Sequence, residues 1–323
     1  MSDVGRLPDL ASRAYGGSVL AASDESFAER QSLILPGAST FRPHTFGARG
    51  QVYDGWETRR RRDPGHDWAI IRLGLPGIVR GVVVDTAWFT GNHPAFASVE
   101  ACAADGHPTV AEVQHATWTE IVPKSPLTGD TAHEFAVEHP HRVTHLRLNI
   151  HPDGGVARLR AHGEVIPDPA RYEGLTTDLA ALENGGLVIA CSNEFYSSPS
   201  NVLAPGLPRT QAEGWETARR RDDGNDWLII RLGLPGVIHL AELDTTNLVY
   251  NAPASATLTA THLQPGAPLE DASWFPLLEK TRLQPDTRHH FRLPTPPPAT
   301  HVRLDIHPDG GLGRLRLHGT PSP

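Results

Sequence analysis

The sequence predicts an all-β protein built as two tandem jelly-roll β-sandwich domains. Three observations carry that expectation. The chain repeats itself over nearly its whole length, its apolar stretches are short β-branched runs closed by glycine or proline, and no long segment has helical periodicity. At 323 residues it is long for one domain and comfortable for two. Its 29 prolines and 30 glycines are spread throughout, as many short strands joined by turns require.

The repeat is read directly. GGSVLAASDESFA at 16–28 matches GGLVIACSNEFYS at 185–197, and GWETRRRRDPGHDWAIIRLGLPG at 55–77 matches GWETARRRDDGNDWLIIRLGLPG at 214–236. VDTAWFTGNHP at 84–94 matches LDTTNLVYNAP at 243–253, and LRLNIHPDGGVARLRAHG at 146–163 matches VRLDIHPDGGLGRLRLHG at 302–319. A period of about 160 residues is far longer than a solenoid repeat, so it marks duplicated domains. The polar, proline-containing stretch EVIPDPARYEG at 164–174 sets the expected boundary, giving domains 1–166 and 167–323. The first copy carries an extra loop within 39–55. Inside each copy WAIIRLG or WLIIRLG reads as one strand. IVRGVVVDT or VIHLAELDT reads as the next after a Pro-Gly turn, and the segment around HPDGG reads as strand, glycine loop, strand.

Charge and cysteine usage exclude several classes. A formal net charge of −8 argues against nucleic acid as a partner. The positive charge is almost all arginine, which suits bidentate capture of carboxylates; the lysines are Lys124 and Lys280 alone. Cys102 and Cys191 lie at non-equivalent places, so they form neither a disulfide framework nor a zinc motif. No apolar run approaches a membrane span, and MSDVGRLPDL at the start has acid and proline where a secretory signal needs an apolar run. The expectation is a soluble, cytoplasmic protein with no membrane partner. P-loop, GxGxxG, GxSxG and HExxH patterns do not occur.

Four groups of residues look chemical. The GWETRRRR run holds Glu57 beside Arg59 and Arg61, matched by Glu216 and Arg220. Alternate strand side chains face opposite ways, so at most about half of those arginines can line one pocket. The four tryptophans Trp56, Trp68, Trp215 and Trp227 are most simply core. HPDGG recurs unchanged, placing His151 with Asp153 and His307 with Asp309. Turn geometry explains the aspartate and glycines but not the histidine, which suits proton transfer or, beside aspartate, metal ligation. Asn92, His93 and Asn251 follow a strand end, where they serve a tight turn or an amide-like ligand, and Asp85 and Asp244 before them suit pairing with an arginine. Arg158 and Arg314 follow each glycine loop and are further candidates for substrate binding.

The run D-W-x-I-I-R-L-G-x-P-G with the closing R-L-R-x-H-G is similar to discoidin or galactose-binding-like modules. The combination of G-W-E-T-R-R-R-R and D-T-x-x-F-x-G-N, each met again in altered form, with H-P-D-G-G-x-x-R-L-R, met twice, resembles allantoicase. That resemblance covers nearly the whole chain and implies hydrolysis of allantoate to ureidoglycolate and urea in purine breakdown. It implies Glu57 with His151, and Glu216 with His307, as acid and base, the arginines and asparagines as substrate ligands, and a homo-oligomer. Asp153 and Asp309 are left to orient the histidine or to hold a divalent metal such as Mn²⁺. The second copy departs from the pattern, with Ala218 for Arg59, Asn225 for His66 and LVYNAP for FTGNHP. The rivals are a tandem carbohydrate-binding protein without catalysis, and a related ureide hydrolase.

Overall fold

The computed structural model describes residues 5, 7–294 and 296–322. The chain divides into two compact units, Met1–Ile166 and Pro167–Pro323, each an antiparallel β-sandwich. In the first, Ser18–Ala22, Asp67–Asp85, Val143–His151, Phe96–Cys102 and Thr119–Pro126 lie side by side. The second repeats this order with Leu187–Cys191, Asp226–Asp244, Ala299–His307, Ser255–Thr261 and Phe275–Arg282.

The organising element is a single strand, Asp67–Asp85, where two strands and a turn were expected. Its first part pairs with Val143–His151, and from Gly77 it pairs with Arg158–Val165, then Ala132–Ala136. The register slips between Arg72 and Gly77 as the strand passes from one set of partners to the other. Pro76 and Gly77 mark this crossing and not a chain reversal. Proline has no N–H to leave unpaired, and a Cβ on Gly77 would lie 2.1 Å from the Glu164 carbonyl oxygen. Asp226–Asp244 makes the same crossing in the second unit.

Alternation along these strands builds the core. Leu146, Leu148 and Ile150 are fully buried, while Arg147 and His151 on the other face are half-buried. Trp56 and Trp215 are fully buried, as expected of core tryptophans. Each also donates its indole N–H, at 2.8 Å, to the carbonyl of Asp24 or Asn193, and so ties a surface loop to the core. Trp68 and Trp227 are only half-buried, and Trp227 lies under the Arg303 guanidinium at 4.8 Å.

Replacing Trp56 with alanine removes a fully buried ring and the anchor of the Asp24 loop. It is expected to destabilise the first unit by about 3–5 kcal/mol, measured as a loss in urea-unfolding free energy; a change below about 1 kcal/mol would contradict this packing.

Candidate active site at the end of the first sandwich

The HPDGG loop gathers the site. His151 ends the strand Val143–His151, and the Asp67 N–H donates to the Pro152 carbonyl at 3.0 Å. Gly154 adopts φ +139, and a Cβ there would sit 2.7 Å from the Asn92 carbonyl oxygen, so only glycine permits the approach. Gly155 donates its N–H to that carbonyl at 2.8 Å and lies opposite Glu57 in a short strand pair. Glu57, Asn92 and Asp153 are thereby brought to one end of the sandwich.

Glu57 is half-buried, and Asn92 Nδ2 donates to its Oε1 at 2.7 Å. Burial raises the carboxyl pKa, and the single amide bond only partly opposes this. Asn92 thus fixes one oxygen and leaves Oε2 to carry a proton.

The arginine run is held by aspartates. Asp153 Oδ2 accepts the Arg61 backbone N–H at 2.8 Å, and Arg61 Nη1 donates at 2.8 Å to Oδ1 of Asp67, which is only 2% exposed. Asp24 Oδ1 accepts the Arg59 backbone N–H at 2.8 Å, while the Arg59 side chain is 75% exposed. Arginines 59–62 line a cavity of about 320 Å³ with Ser23, Asp24, Asp63 and Asp67. Four arginines against three aspartates give it a net positive charge, so it suits an anion. The alternation expected of a strand does not apply, because after Glu57 the run leaves the sheet and is bonded residue by residue to Asp24 and Asp153.

The His151 ring lies 4.6 Å from that of His66, and its Nε2 is 3.2 Å from Ser98 Oγ. Burial, then His66 and Lys124, lower its pKa to about 4, so the imidazole is neutral at physiological pH. Asp24, Asp67, Ser98 and His66 were not among the residues picked from sequence as substrate ligands or catalysts. Asp67 and His66 were at least visible in the repeated run, whereas nothing local singles out Ser98.

The second unit keeps the frame and alters the chemistry. Asp309 Oδ2 accepts the Arg220 N–H at 2.7 Å, and Arg220 Nη1 donates to Asp226 at 2.8 Å. Glu216 accepts from Asn251 on one oxygen and from Gln211 Nε2, at 2.6 Å, on the other. Both Glu216 oxygens therefore accept a side-chain hydrogen bond, where Glu57 accepts one from Asn92. His307 Nε2 lies 3.5 Å from Thr257 Oγ1, and burial, with Lys280 nearby, lowers its pKa. Asn225 bonds Asp305 at 2.9 Å, so no second imidazole faces His307 at that position.

Several expected ligands serve the fold instead. Arg158 is 3% exposed; its Nη2 meets both oxygens of Asp54 at 2.8 Å, and its Nε donates to the Gly37 carbonyl. Arg314 is 4% exposed and donates to the carbonyls of Gly206, Glu213 and Gly313. Both staple loops, because a buried guanidinium must be satisfied where it lies. His93 Nδ1 donates to the Thr90 carbonyl at 3.1 Å. Asp85 and Asp244 cap turns through the N–H of Ala87 and Thr246 and do not pair with arginine there. Asp153 and Asp309 each spend an oxygen on an arginine N–H. Among the described residues no three His, Cys, Asp or Glu side chains converge as a metal site requires. This donor set does not fit a Mn²⁺ ion.

The allantoicase repeat pattern matches residues 8–166 and 177–322. A probable allantoicase of Nocardia farcinica is 54% identical over 97% of this chain and 94% of its own length. That of Streptomyces coelicolor is 47% identical, over 97% and 85%. The crystal structure of allantoicase from Saccharomyces cerevisiae superposes with a TM-score of 0.80 at 34% identity, covering 97% of this chain and 92% of that one.

Two histidines, His145 and His151, have folded pKa values of about 4, each lowered first by burial, against 6.5 as the ordinary value. The unfolded chain therefore binds their protons first on acidification. Stability is expected to fall as pH drops from 6.5 toward about 4, with both imidazoles still neutral at pH 6 by NMR titration. Protonation of either ring near pH 6.5 in the folded protein would refute this.

Proposed function

The chain belongs to the allantoicase family and hydrolyses allantoate to ureidoglycolate and urea, and from that premise we propose that the reaction runs at the arginine-lined end of the first unit. The observation that carries this reading is the Glu57–Asn92 pair, a carboxyl of raised pKa beside a cationic cavity.

Allantoate has one carboxylate and two ureido groups on the same carbon. Arg59 and Arg61 take the carboxylate; a charge-assisted hydrogen bond contributes about 1.5–3 kcal/mol, enough for one arginine to set the orientation. The bond to break joins the central carbon to a ureido nitrogen, and urea leaves only if that nitrogen gains a proton. Glu57 Oε2 supplies it, with Oε1 fixed by Asn92. The water that replaces urea on the carbon loses a proton, which the neutral His151 imidazole accepts, its Nε2 near Ser98 Oγ. Atoms balance: one water is consumed, its hydroxyl stays on the carbon, and its proton replaces the one Glu57 gave up once His151 and Glu57 re-equilibrate. Each of these steps is written with side chains of this chain. In this reading Glu216 and His307 take no part in the proton transfer.

The same reading extends to a homo-oligomer working in the cytoplasm. Exposed apolar side chains such as Phe46, Tyr196 and Tyr250 support association. Cys102 and Cys191 form no disulfide, in keeping with a reducing compartment. Among the described residues no helix is long and apolar enough to cross a membrane.

Glu57→Gln is expected to lower kcat for urea release from allantoate by about 10²–10⁴-fold. Because the acid must be protonated, wild-type kcat should fall as pH rises through the raised Glu57 pKa, and that alkaline limb should vanish in the variant. Unchanged turnover in Glu57→Gln would remove it from the mechanism.

A further inference from the structure

We propose that the anion site is open in the first unit alone, and that in the second unit the carboxylate of Asp222 already occupies it. The proposal rests on the reading that Arg61 helps to bind the substrate carboxylate. Arg61 and Arg220 sit in the same frame, each with its backbone N–H on the aspartate of an HPDGG loop and its Nη1 on a buried aspartate. They differ on the opposite edge of the guanidinium. Arg220 Nε donates to Asp222 Oδ1 at 2.9 Å and Nη2 to Oδ2 at 3.1 Å. That is the two-pronged geometry in which arginine captures a free carboxylate. Arg61 Nε is buried and has no hydrogen-bond partner among the described residues, so no carboxylate of the chain takes that edge, although Asp63 is the counterpart of Asp222.

Local sequence explains the difference. Asp222 precedes Asp223, and its Oδ1 also accepts the Gly224 N–H at 2.8 Å, which turns the carboxylate back over the guanidinium. Asp63 precedes Pro64, which disfavours a helical turn at Asp63. The next residue, Gly65, takes φ +129, a conformation not shared by Gly224. A glycine lies against the guanidinium in both units, a Cβ on Gly65 falling 3.1 Å from Arg61 Nη2 and one on Gly224 2.7 Å from Arg220 Nη2, so the units differ there in the aspartate carboxylate and not in the glycine.

Charge points the same way. Over the matched positions the first unit sets four arginines against Asp24, Asp63 and Asp67. The second sets Arg219, Arg220 and Arg221 against Asp222, Asp223 and Asp226, with Ala218 and Asn193 in place of Arg59 and Asp24. The first is net positive and the second neutral. Asp222 is 65% exposed, so its removal leaves the core untouched.

The test is titration calorimetry with allantoate in a Glu57→Gln background, where turnover is slowed by about 10²–10⁴-fold. One site per chain is expected for Glu57→Gln, and two when Asp222→Ala is added; Asp222→Asn, of the same shape, serves as the second variant. Adding Arg61→Gln to Glu57→Gln should weaken binding by more than about 10-fold, whereas adding Arg220→Gln should not change it. Two sites in Glu57→Gln alone, or one site in both Asp222 variants, would overturn the proposal while leaving the first-unit site standing. Full affinity after Arg61→Gln would instead sink the assignment of the substrate site itself.

Discussion

Everything at the active end depends on one close approach of backbone to backbone. Gly154 and Gly155 lie against the Asn92 carbonyl with no side chain between, and Gly155 is also the strand partner of Glu57. A Cβ at Gly155 would be 2.1 Å from the Phe89 ring, and in the second unit a Cβ at Gly310 would be 2.3 Å from the Asn251 carbonyl oxygen. Side chains at these positions would push the loop away and separate Glu57 from Asn92. The aspartate of the same loop reaches across to the Arg61 N–H, so the contact that orients the acid also sets the arginine run. Binding groups and proton donor are thus fixed by one five-residue loop, and a shift in it would move both.

The architecture was largely legible in the sequence because duplication reports itself, and so were Glu57, Asn92 and the HPDGG loop. Their side chains are bound to partners that recur in both copies. The failures have a common physical origin. In R-L-R the arginines looked accessible because they alternate with leucine. Yet Arg158 and Arg314 are buried under loops from distant parts of the chain, and no local pattern encodes which carbonyls will cover them. Asp67 was legible as a partner of the arginine run, whereas Asp24 was not, since it lies far from Arg59 in sequence and its loop is anchored through the indole N–H of Trp56. Pro-Gly within LGLPG reads as a turn locally, and it becomes a crossing within a strand only because partners on both sides continue the pairing.

The two units have diverged in matched pairs. Asp24 with Arg59 becomes Asn193 with Ala218, and in both the first side chain caps the backbone N–H of the second. His66, which faces His151, becomes Asn225, and Asn149 becomes Asp305, to which Asn225 donates. Glu100, which holds Arg147 through two hydrogen bonds, becomes Thr259, and Arg303 then takes Asp305 as its carboxylate. A partly buried charge stripped of its partner costs several kcal/mol, so a change on one side forces a change on the other. The backbone frame survives such exchanges intact while the chemistry lining it does not. A second unit can therefore preserve the turns of the first while its Glu216 sits between two amide donors where Glu57 meets one.

With Glu57 as acid and His151 as base, as proposed, the reaction asks little machinery of a sandwich edge. General acid–base hydrolysis requires a protonated acid and an unprotonated base at one pH, although in water a carboxyl loses its proton before an imidazole does. Partial burial works on both in the useful direction. It penalises the carboxylate and so raises Glu57, and it penalises the imidazolium and so lowers His151, with the positive charges of His66 and Lys124 adding to the second effect. Desolvation at one end of the domain therefore moves both groups against the order of proton loss that solution chemistry imposes. The Asp–Arg frame holds the loops that keep both groups out of water, so the electrostatics of catalysis follow from the same contacts that close the fold.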